Sequence, residues 1–406
     1  MRESERLTIA RLFATATIAL TLCSAGWAQS VEKILYAFSG SDGSVPQVGI
    51  TLDAEGNLYG TTSYGGSLGC CGTVFELSPS SNGTWAEKVI YDFSIGAGAD
   101  GSIPWGGLVF DGKGNLYGTA FSGGAYYQGA VFELTPGSDG TWTEKVLYSF
   151  TGGADGGALL ASTLIVDGSG NLYGTGEVGG AYGLGVVFEI VASANGTWTE
   201  KVLHSFAGNN DGASPYGSPL VMNAAGKLYG ATPAGGAHDY GVVYELTPQS
   251  NGTWSEKIIY ALTGLDGLTN PFGGLVLDTA GNLYSAFALG ILELIPGKNG
   301  IWTEKTLYRF VGSPDGAGPD GVVSSKAGNL YGTTNTGGVH RGTVFQLSPG
   351  SNGSWSERIL HRFQPDGIDG IFPQFGTLAI DSSGNLYGTT PQGGSSSQGV
   401  VFEVTP

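Results

Sequence analysis

The pentapeptide Gly-Asn-Leu-Tyr-Gly constrains this chain more than any other feature, because it recurs along almost the whole sequence. It first appears at residues 56–60, and six complete or slightly altered copies follow. The tyrosines of the seven copies are Tyr59, Tyr117, Tyr173, Tyr229, Tyr284, Tyr331 and Tyr387. Most neighbouring copies are about 56 residues apart, a period typical of solenoids and propellers. We therefore expect the 406 residues to form one repetitive unit rather than several ordinary domains.

One repeat reads as four β-strands. In the second copy, residues 107–111 form a short apolar segment, and turn residues lead to the segment 115–119. A glycine-rich loop precedes residues 129–134, and a second turn precedes residues 142–150. Helical periodicity is absent, and apolar residues occupy both faces of most strands. Each sheet must therefore be covered on both sides.

Seven such sheets predict an all-β, seven-bladed β-propeller with four antiparallel strands per blade, because each blade then packs between two neighbours. The segment of the 142–150 type occurs seven times, but its seventh copy is residues 32–38, near the N-terminus. The last blade is thus predicted to be closed by the N-terminal strand. That strand should contribute about 5–10 kcal/mol if it buries three or four large side chains.

Charges predict which strand is outermost. Glu-Lys or Glu-Arg opens every strand of the 32–38 type, whereas the 107–111 type is nearly uncharged. Exposed strand edges are protected by charges, by lysine in particular. The charged strand is therefore expected at the outside of each blade, and the glycine-rich strand at the centre of the ring.

The first 28 residues differ from the repeats. Three arginines precede the apolar run 12–23, and small residues follow as far as Ala28. This pattern predicts a secretory signal peptide over residues 1–28, cleaved after about Ala28, which leaves residues 29–406 as the propeller. The run is too short to cross a bilayer comfortably. We expect an extracytoplasmic protein, secreted or periplasmic, without a membrane span.

The net charge of the chain limits the classes of partner that it can bind. Charged residues are only 13% of the chain and the net charge is −17. This balance opposes nucleic acid and anionic lipid surfaces. We expect a monomer that binds a glycan or an extracellular protein.

The sequence blocks GNLYGTT, GG, GTVFEL and GTWTEKVLYSF resemble the GloVer tandem repeat of secreted or surface proteins of bacteria. The resemblance covers essentially residues 29–406 and implies no enzymatic activity. Larger members of the family carry varied C-terminal anchors, and the end of this sequence at Pro406 without one argues against surface attachment. The pair Gly123 and Gly124, together with Trp142, is also similar to kelch propeller repeats, which supports the strand order.

Catalytic residues are expected to break the repeat symmetry, and most acidic residues here do not. His204 and His361 replace a tyrosine of the outer strand and are interpreted as packing substitutions. His238 and His340 lie in glycine-rich loops and are interpreted as solvated. The Asp-Gly pairs before each inner strand, which end with Asp366 and Gly367, are interpreted as turns rather than calcium ligands. No metal or cofactor is expected.

Cys70 and Cys71 are neighbours in one loop. In an oxidising compartment they could form a vicinal disulfide or cross-link two molecules, and they could also remain free thiols. The residues alone leave these alternatives open.

Aromatic residues mark the candidate binding surface. Three of them occupy equivalent positions just before an inner strand, one is displaced by a single residue, and two lie in a variable loop on the same face: Trp105, Phe272, Phe375, Tyr216, Tyr126 and Tyr127. Non-aromatic residues stand at the equivalent positions of other blades, so the set is asymmetric. Packing between blades would explain it, and so would a stacking surface for sugar rings or a peptide. The fifth blade lacks the glycine pair, which should open a groove on that side.

The sequence leaves two hypotheses for the function of this protein. The first is a non-enzymatic binding or scaffold propeller that takes a glycan or protein on its loop face. The alternative is an extracytoplasmic hydrolase or lyase. An enzyme should bring non-repeated polar side chains together at the channel mouth, whereas a binding protein should present an asymmetric aromatic surface.

Overall fold

Seven four-stranded antiparallel sheets follow one another along the chain in the computed structural model. The structure describes residues 30–94, 100–193, 195–265, 269–271, 273–374 and 376–406. We name the sheets blades 1–7 and the strands of each blade inner, second, third and outer. The predicted all-β, seven-bladed propeller is confirmed. The predicted signal peptide lies outside the described residues.

The first four blades have nearly identical strands. Blade 1 contains Thr51–Leu52, Leu58–Thr62, Thr73–Pro79 and Trp85–Asp92. Blade 2 contains Val109–Phe110, Leu116–Ala120, Ala130–Pro136 and Trp142–Ser149. Blade 3 contains Ile165–Val166, Leu172–Gly176, Val186–Ala192 and Trp198–Ser205. Blade 4 contains Val221–Met222, Leu228–Thr232, Val242–Pro248 and Trp254–Ala261.

The last three blades vary more. Blade 5 contains Leu275–Leu277, Leu283–Phe287, Gly290–Pro296 and Trp302–Arg309, with a 3₁₀ turn at Lys298–Gly300. Blade 6 contains Gly316–Ser324, Leu330–Gly337, Thr343–Pro349 and Trp355–Arg362. Blade 7 contains Ala379–Ile380, Leu386–Thr390 and Val400–Thr405, with Val31–Ala37 as its outer strand. Short two-residue pairs extend three blades: Gly101–Ser102 with Ser122–Gly123, Gly212–Ala213 with Ala234–Gly235, and Gly370–Ile371 with Gln392–Gly393.

The recurring pentapeptide forms the hairpin between inner and second strands. In blade 1, Asp53 Oδ1 accepts hydrogen bonds from the backbone N–H groups of Glu55 and Asn57, and Asn57 Nδ2 donates to Asp53 Oδ2 at 2.7 Å. Gly56 has φ 87°, which favours glycine. A Cβ at Gly60 would lie 2.5 Å from the Phe75 ring of the third strand. The motif therefore forms a tight turn and lets the second strand lie close against a side chain of the third strand.

The tyrosine of the motif connects neighbouring blades. The Tyr59 hydroxyl donates to Asp53 Oδ2 at 3.2 Å, and its ring meets Trp142 of blade 2 edge to face at 6.2 Å. The same ring pair recurs at Tyr117–Trp198, Tyr173–Trp254, Tyr229–Trp302 and Tyr387–Trp85. The last pair joins blade 7 to blade 1, so the contacts continue around the ring.

A threonine after the motif also reaches the next blade. Thr119 Oγ1 donates to the Ser162 carbonyl at 2.7 Å, and Thr389 Oγ1 donates to the Val48 carbonyl at 3.0 Å. These carbonyls stand just before the inner strands of blades 3 and 1. The central strands are therefore held together by hydrogen bonds as well as by packing.

The hydrophobic clusters lie between blades rather than inside one. Tyr59 and Val74 of blade 1, for example, share a cluster with Phe132 and Leu134 of blade 2. A single blade would expose both faces of its sheet to water. The need for cover on both sides, inferred from the sequence, is thus met by the neighbouring blades.

The N-terminal strand closes blade 7, as predicted. Val31–Ala37 pairs antiparallel with Val400–Thr405, and the Phe38 N–H donates to the Gly399 carbonyl at 3.0 Å. Leu35 packs in the cluster toward blade 1, and Ile34 packs against the cluster toward blade 6. The strand therefore completes two interfaces at once.

We predict that Phe38→Ala lowers the free energy of unfolding by about 3–5 kcal/mol, the usual loss for a fully buried phenylalanine. The Phe38 ring is 0% exposed and meets Phe75 of blade 1 at 5.1 Å. Denaturant unfolding followed by circular dichroism measures the change.

Val31→Ala, at the start of the strand that Phe38 follows, is the control, because Val31 is 62% exposed and should change stability by less than about 0.5 kcal/mol. Equal losses for both variants would contradict the assigned closure.

Candidate functional site

The loop face consists of the connections between second and third strands and the connections from one blade to the next. The second glycine of each glycine pair binds the preceding connection: Gly124 N–H donates to the Asp100 carbonyl at 2.7 Å, and Gly236 N–H donates to the Asp211 carbonyl at 2.6 Å. Gly123 has φ 81°, and a Cβ there would lie 2.6 Å from the Asp100 carbonyl oxygen. The glycine pairs therefore hold both sets of loops together.

Two of the predicted aromatic residues lie in the segments that lead into the inner strands of blades 2 and 4. Trp105 is partly buried and meets Phe121 edge to face at 5.4 Å, while the adjoining Gly107 N–H donates to Thr163 of blade 3. Tyr216 is also partly buried. The other two predicted positions, Phe272 and Phe375, lie outside the described residues.

The two loop tyrosines lie elsewhere on this face. Tyr126 and Tyr127 are 57% and 64% exposed, and Tyr126 is within electrostatic reach of Tyr148 of the outer strand. They therefore stand toward the rim, whereas Trp105 stands toward the axis. The predicted residues form an inner and an outer group rather than one cluster.

Two further exposed tyrosines extend the outer group. Tyr182 of blade 3 is 65% exposed and Tyr240 of blade 4 is 42% exposed. We name Tyr126, Tyr127, Tyr182 and Tyr240 the tyrosine sector. The sequence analysis missed the last two, although Tyr182 follows its glycine pair at the same spacing as Tyr126.

Glu177 was also missed by the sequence analysis. It follows the second strand of blade 3, where the other blades with a full loop carry Ser63, Phe121, Pro233, Asn335 and Pro391. Burial raises the pKa of its carboxyl group. Burial, and then the charge of Glu177, raise the pKa of Tyr216. A partly buried acid that breaks the repeat symmetry therefore lies close to a predicted site residue.

The loop of blade 5 is short, as the sequence indicated. Phe287 pairs directly with Gly290, so only residues 288–289 connect the second and third strands. Leu289 is 41% exposed there. The loop between the second and third strands is therefore shorter at blade 5 than at its neighbours.

In the loop of blade 1, Cys70 and Cys71 form a vicinal disulfide. Cys71 is 4% exposed, and its carbonyl accepts a hydrogen bond from the Ile103 N–H at 3.0 Å. The bonded pair therefore lies between blade 1 and the chain that leads into blade 2.

The opposite, hairpin face carries open clefts between blades. One, of about 710 Å³, lies between blades 2 and 3 and includes Tyr117, Glu133 and Trp198 in its wall. The Tyr117 hydroxyl donates to Glu133 Oε1 at 3.0 Å, so these polar groups satisfy each other. The repeated residues of this face hold the blades together, in agreement with the structural role inferred from their repetition.

The rim carries a third repeated arrangement, which we name the rim junction. It comprises a tyrosine or histidine of one outer strand, the aspartate of the following loop and the glutamate of the next outer strand. Tyr148 donates to Asp155 Oδ2 at 3.1 Å, and Glu200 is close to that carboxylate. Burial first, and then the charge of the aspartate, raise the glutamate pKa to about 7 in six junctions: Glu32, Glu87, Glu144, Glu200, Glu256 and Glu357. The neighbouring histidine opposes this rise in pKa at Glu32 and Glu256.

The charged strand is at the outer edge of every blade, as predicted, and two other interpretations of the sequence change at the rim. The outer-strand glutamates face the blade junctions, while the adjacent lysines reach the next blade, as when Lys33 Nζ donates to the Gly83 carbonyl at 2.7 Å. His204 and His361 are more than packing substitutions, because they hydrogen bond to Asp211 and Asp369. The junction aspartate of blade 7 is Asp369 rather than Asp366, because strand Gly370–Ile371 begins directly after it.

These features define a closed, seven-bladed β-propeller of tandem repeats with one asymmetric loop face. The chain belongs to the Gloeobacter/Verrucomicrobia repeat family, whose sequence profile matches residues 70–293 and 290–406. This confirms the resemblance inferred from the repeated motifs. A comparison with curated proteins found no match.

Solved structures share the fold at low sequence identity. A catalytically inactive virginiamycin B lyase from Staphylococcus aureus with Quinupristin is 13% identical, with a TM-score of 0.57 over 93% of this chain and 100% of that chain. The extracellular domain of a B. thetaiotaomicron hybrid two component system is 12% identical, with a TM-score of 0.56 over 91% and 39%. A Lactobacillus plantarum protein is 14% identical, with a TM-score of 0.51 over 89% and 98%. Such identities establish the fold alone.

No helix among the described residues is long and apolar enough to cross a membrane.

We predict that the protein loses thermal stability as the pH rises from 4.5 to about 7. The folded state holds the pKa of Glu144 at about 7, above the ordinary value of 4.5, so in this window the unfolded chain releases a proton that the folded chain keeps. The stability is therefore present below pH 4.5 and is lost as the pH passes through the folded pKa. Melting temperatures across this range measure the slope.

Glu144→Gln should make this slope less steep, because glutamine does not ionise and only the other five junction glutamates then contribute. Glu55→Gln makes the same charge change at an exposed hairpin position and should leave the slope as it is in the unmodified protein. Equal slopes for Glu144→Gln and Glu55→Gln would contradict the assignment.

Proposed function

We propose that this chain is an extracytoplasmic, non-enzymatic propeller that binds a glycan on its loop face. The observation that carries the proposal is the tyrosine sector, a set of exposed aromatic rings on the loops of blades 2–4, to which the loop of blade 1 adds Tyr64, which is 42% exposed. At the corresponding place blade 7 has residues 395–397, which are serines, and blade 6 has Val339 and His340. An aromatic surface on one side of a symmetric ring is a feature that packing of the repeats does not require.

The chemistry of the sector favours sugars. A tyrosine ring offers an apolar face for stacking and a hydroxyl for hydrogen bonding, so it suits a ligand with both apolar and hydroxyl surfaces. The rings stand on short loops held by the glycine pairs, which limits the entropy lost on binding. The net charge of −17 disfavours nucleic acid and anionic lipid as alternatives.

The inner group provides a second set of contacts. Trp105 and Tyr216 present partly buried rings, and Glu177 adds a carboxyl group that can accept or donate hydrogen bonds to sugar hydroxyls. The loop between the second and third strands of blade 5 is short, which leaves room for a ligand beside it. A chain of sugar rings could therefore extend from the tyrosine sector toward the axis.

An extracytoplasmic location is part of the proposal. The N-terminal pattern of arginines, apolar residues and Ala28 has the features of a secretory signal. The disulfide between Cys70 and Cys71 is typical of proteins in an oxidising compartment. One structural neighbour is an extracellular domain.

Glu177 gives a specific reason to keep a second candidate, an extracytoplasmic hydrolase or lyase. It is partly buried, it breaks the repeat symmetry, and burial raises its pKa. These are properties of general acids. In that case Glu177 would transfer a proton to or from the bound glycan, with Tyr216 beside it.

A glycan array followed by calorimetric titration tests the binding function. For a glycan that binds, Trp105→Ala and Tyr182→Ala should each weaken affinity by about 1–3 kcal/mol, the range for losing an aromatic contact at a binding site. Trp302→Ala is the control, because Trp302 packs against Tyr229 on the hairpin face at 6.0 Å. It should lower stability and leave affinity unchanged.

The absence of any glycan ligand, or equal affinity losses in all three variants, would contradict a glycan site on this face. Mass spectrometry of the glycan after incubation separates the two candidates. An unchanged glycan supports binding alone, whereas cleavage that is lost in Glu177→Gln with binding retained would favour the enzyme.

A further inference from the structure

The rim junction that receives the closing strand differs from most others in its chemistry. It brings together Glu32 of the closing strand, His361 of the blade 6 outer strand and Asp369 of the loop into blade 7. Their ligand atoms all lie within 4.8 Å of one another. His361 Nε2 and Asp369 Oδ2 are 3.0 Å apart. Imidazole and carboxylate groups at this spacing are typical metal ligands.

The spacing suits a small divalent cation. Zinc binds histidine nitrogen and carboxylate oxygen at about 2.0–2.2 Å, and tetrahedral geometry then separates neighbouring ligand atoms by about 3.2–3.6 Å. The His361–Asp369 separation of 3.0 Å is a few tenths of an ångström below that range. Small side-chain rotations would therefore admit the ion.

Two buried oxygens at this junction lack hydrogen-bond partners among the described residues. They are Glu32 Oε1 and Asp369 Oδ1. The glutamate Oε1 is unpartnered at the other described junctions as well, and the closing junction differs from the tyrosine junctions by placing a histidine beside these oxygens. Asp369 is only 7% exposed, so water compensates its carboxylate poorly. A buried carboxylate oxygen without a partner is costly, and a cation would remove that cost.

We propose that Glu32, His361 and Asp369 form a zinc site that fastens the closing strand to blades 6 and 7. The three residues are supplied by the N-terminal strand, by the outer strand of blade 6 and by the following loop. Water completes the tetrahedron. Because the residues converge only when the ring is closed, zinc stabilises the closed form.

The other described junctions provide natural comparisons. The junctions of Tyr36, Tyr91, Tyr148 and Tyr308 carry tyrosine in place of the histidine, and a neutral tyrosine donates its proton to the aspartate instead of binding a metal. His204 does face Asp211 and Glu256, but both Asp211 oxygens accept backbone hydrogen bonds, from Gly212 at 2.7 Å and from Ala207 at 2.8 Å. At the closing junction Asp369 Oδ2 accepts one from Gln364 at 2.8 Å, and Asp369 Oδ1 accepts none among the described residues. The closing junction is therefore the one to which we assign zinc.

Zinc titration of the untagged, full chain tests this proposal. The protein is first dialysed against a chelator under non-reducing conditions, which keeps Cys70 and Cys71 bonded and unable to bind zinc. Calorimetry with zinc chloride should show one ion per chain, and zinc should raise the melting temperature. X-ray absorption at the zinc edge should show one nitrogen and several oxygen ligands from imidazole, carboxylates and water.

His361→Tyr is the decisive variant, because other junctions carry tyrosine at this position and the fold should persist. Loss of residues that only orient metal ligands costs about 10–100-fold in affinity, so loss of a direct ligand should weaken zinc binding by at least about 100-fold. Circular dichroism verifies folding. If His361→Tyr does not fold, Glu32→Gln replaces it as the test, because it also removes a proposed ligand and should also weaken zinc binding.

His204→Tyr is the matched control and should keep zinc affinity and the thermal shift. A protein that binds no zinc, or a His361→Tyr variant that binds it undiminished, would overturn the proposal. Loss of zinc in His204→Tyr, with retention in His361→Tyr, would also overturn it by moving the site to blade 4.

Discussion

Closure of the ring is the constraint on which the rest of the structure depends. No blade can cover both faces of its own sheet, so every blade needs two neighbours, and the first and last blades must find each other. The pairing of Val31–Ala37 with Val400–Thr405 supplies that contact. It places Leu35 and Ile34 in the clusters on either side of blade 7. One strand from the beginning of the chain thereby completes the fold at its end.

The repeated residues act mainly across blade boundaries. Each Gly-Asn-Leu-Tyr-Gly copy forms a hairpin, and in most blades its tyrosine meets a tryptophan of the next blade. The rim junctions likewise combine residues of two blades. Repetition therefore reflects the needs of the interface, while departures from repetition are free to serve a ligand. The tyrosine sector, Glu177 and His361 are such departures, and the proposed functions rest on them.

Strand number, strand order and closure could be predicted from the sequence because each type of strand occurs seven times. Counting the copies shows which strand lies at the other end of the chain. The candidate site could be predicted only in part. Sequence position placed Trp105 and Tyr126 on one face, but their radial distance from the axis depends on loop conformation. The Asp-Gly series ended with Asp366, whereas Asp369 also precedes a glycine and occupies the equivalent position in blade 7, which only strand pairing reveals. The burial of the outer-strand glutamates, such as Glu144, follows from blade twist and packing, which the alternation of charges does not reveal.

Amide hydrogen exchange of the closing strand pair tests the account most directly. If Val31–Ala37 and Val400–Thr405 form an integral interface, their amides should exchange only through global unfolding, as slowly as those of Val186–Ala192 and Trp198–Ser205 within blade 3. Exchange of the closing pair that is orders of magnitude faster, while blade 3 stays protected, would show that the ring opens locally and would contradict the account.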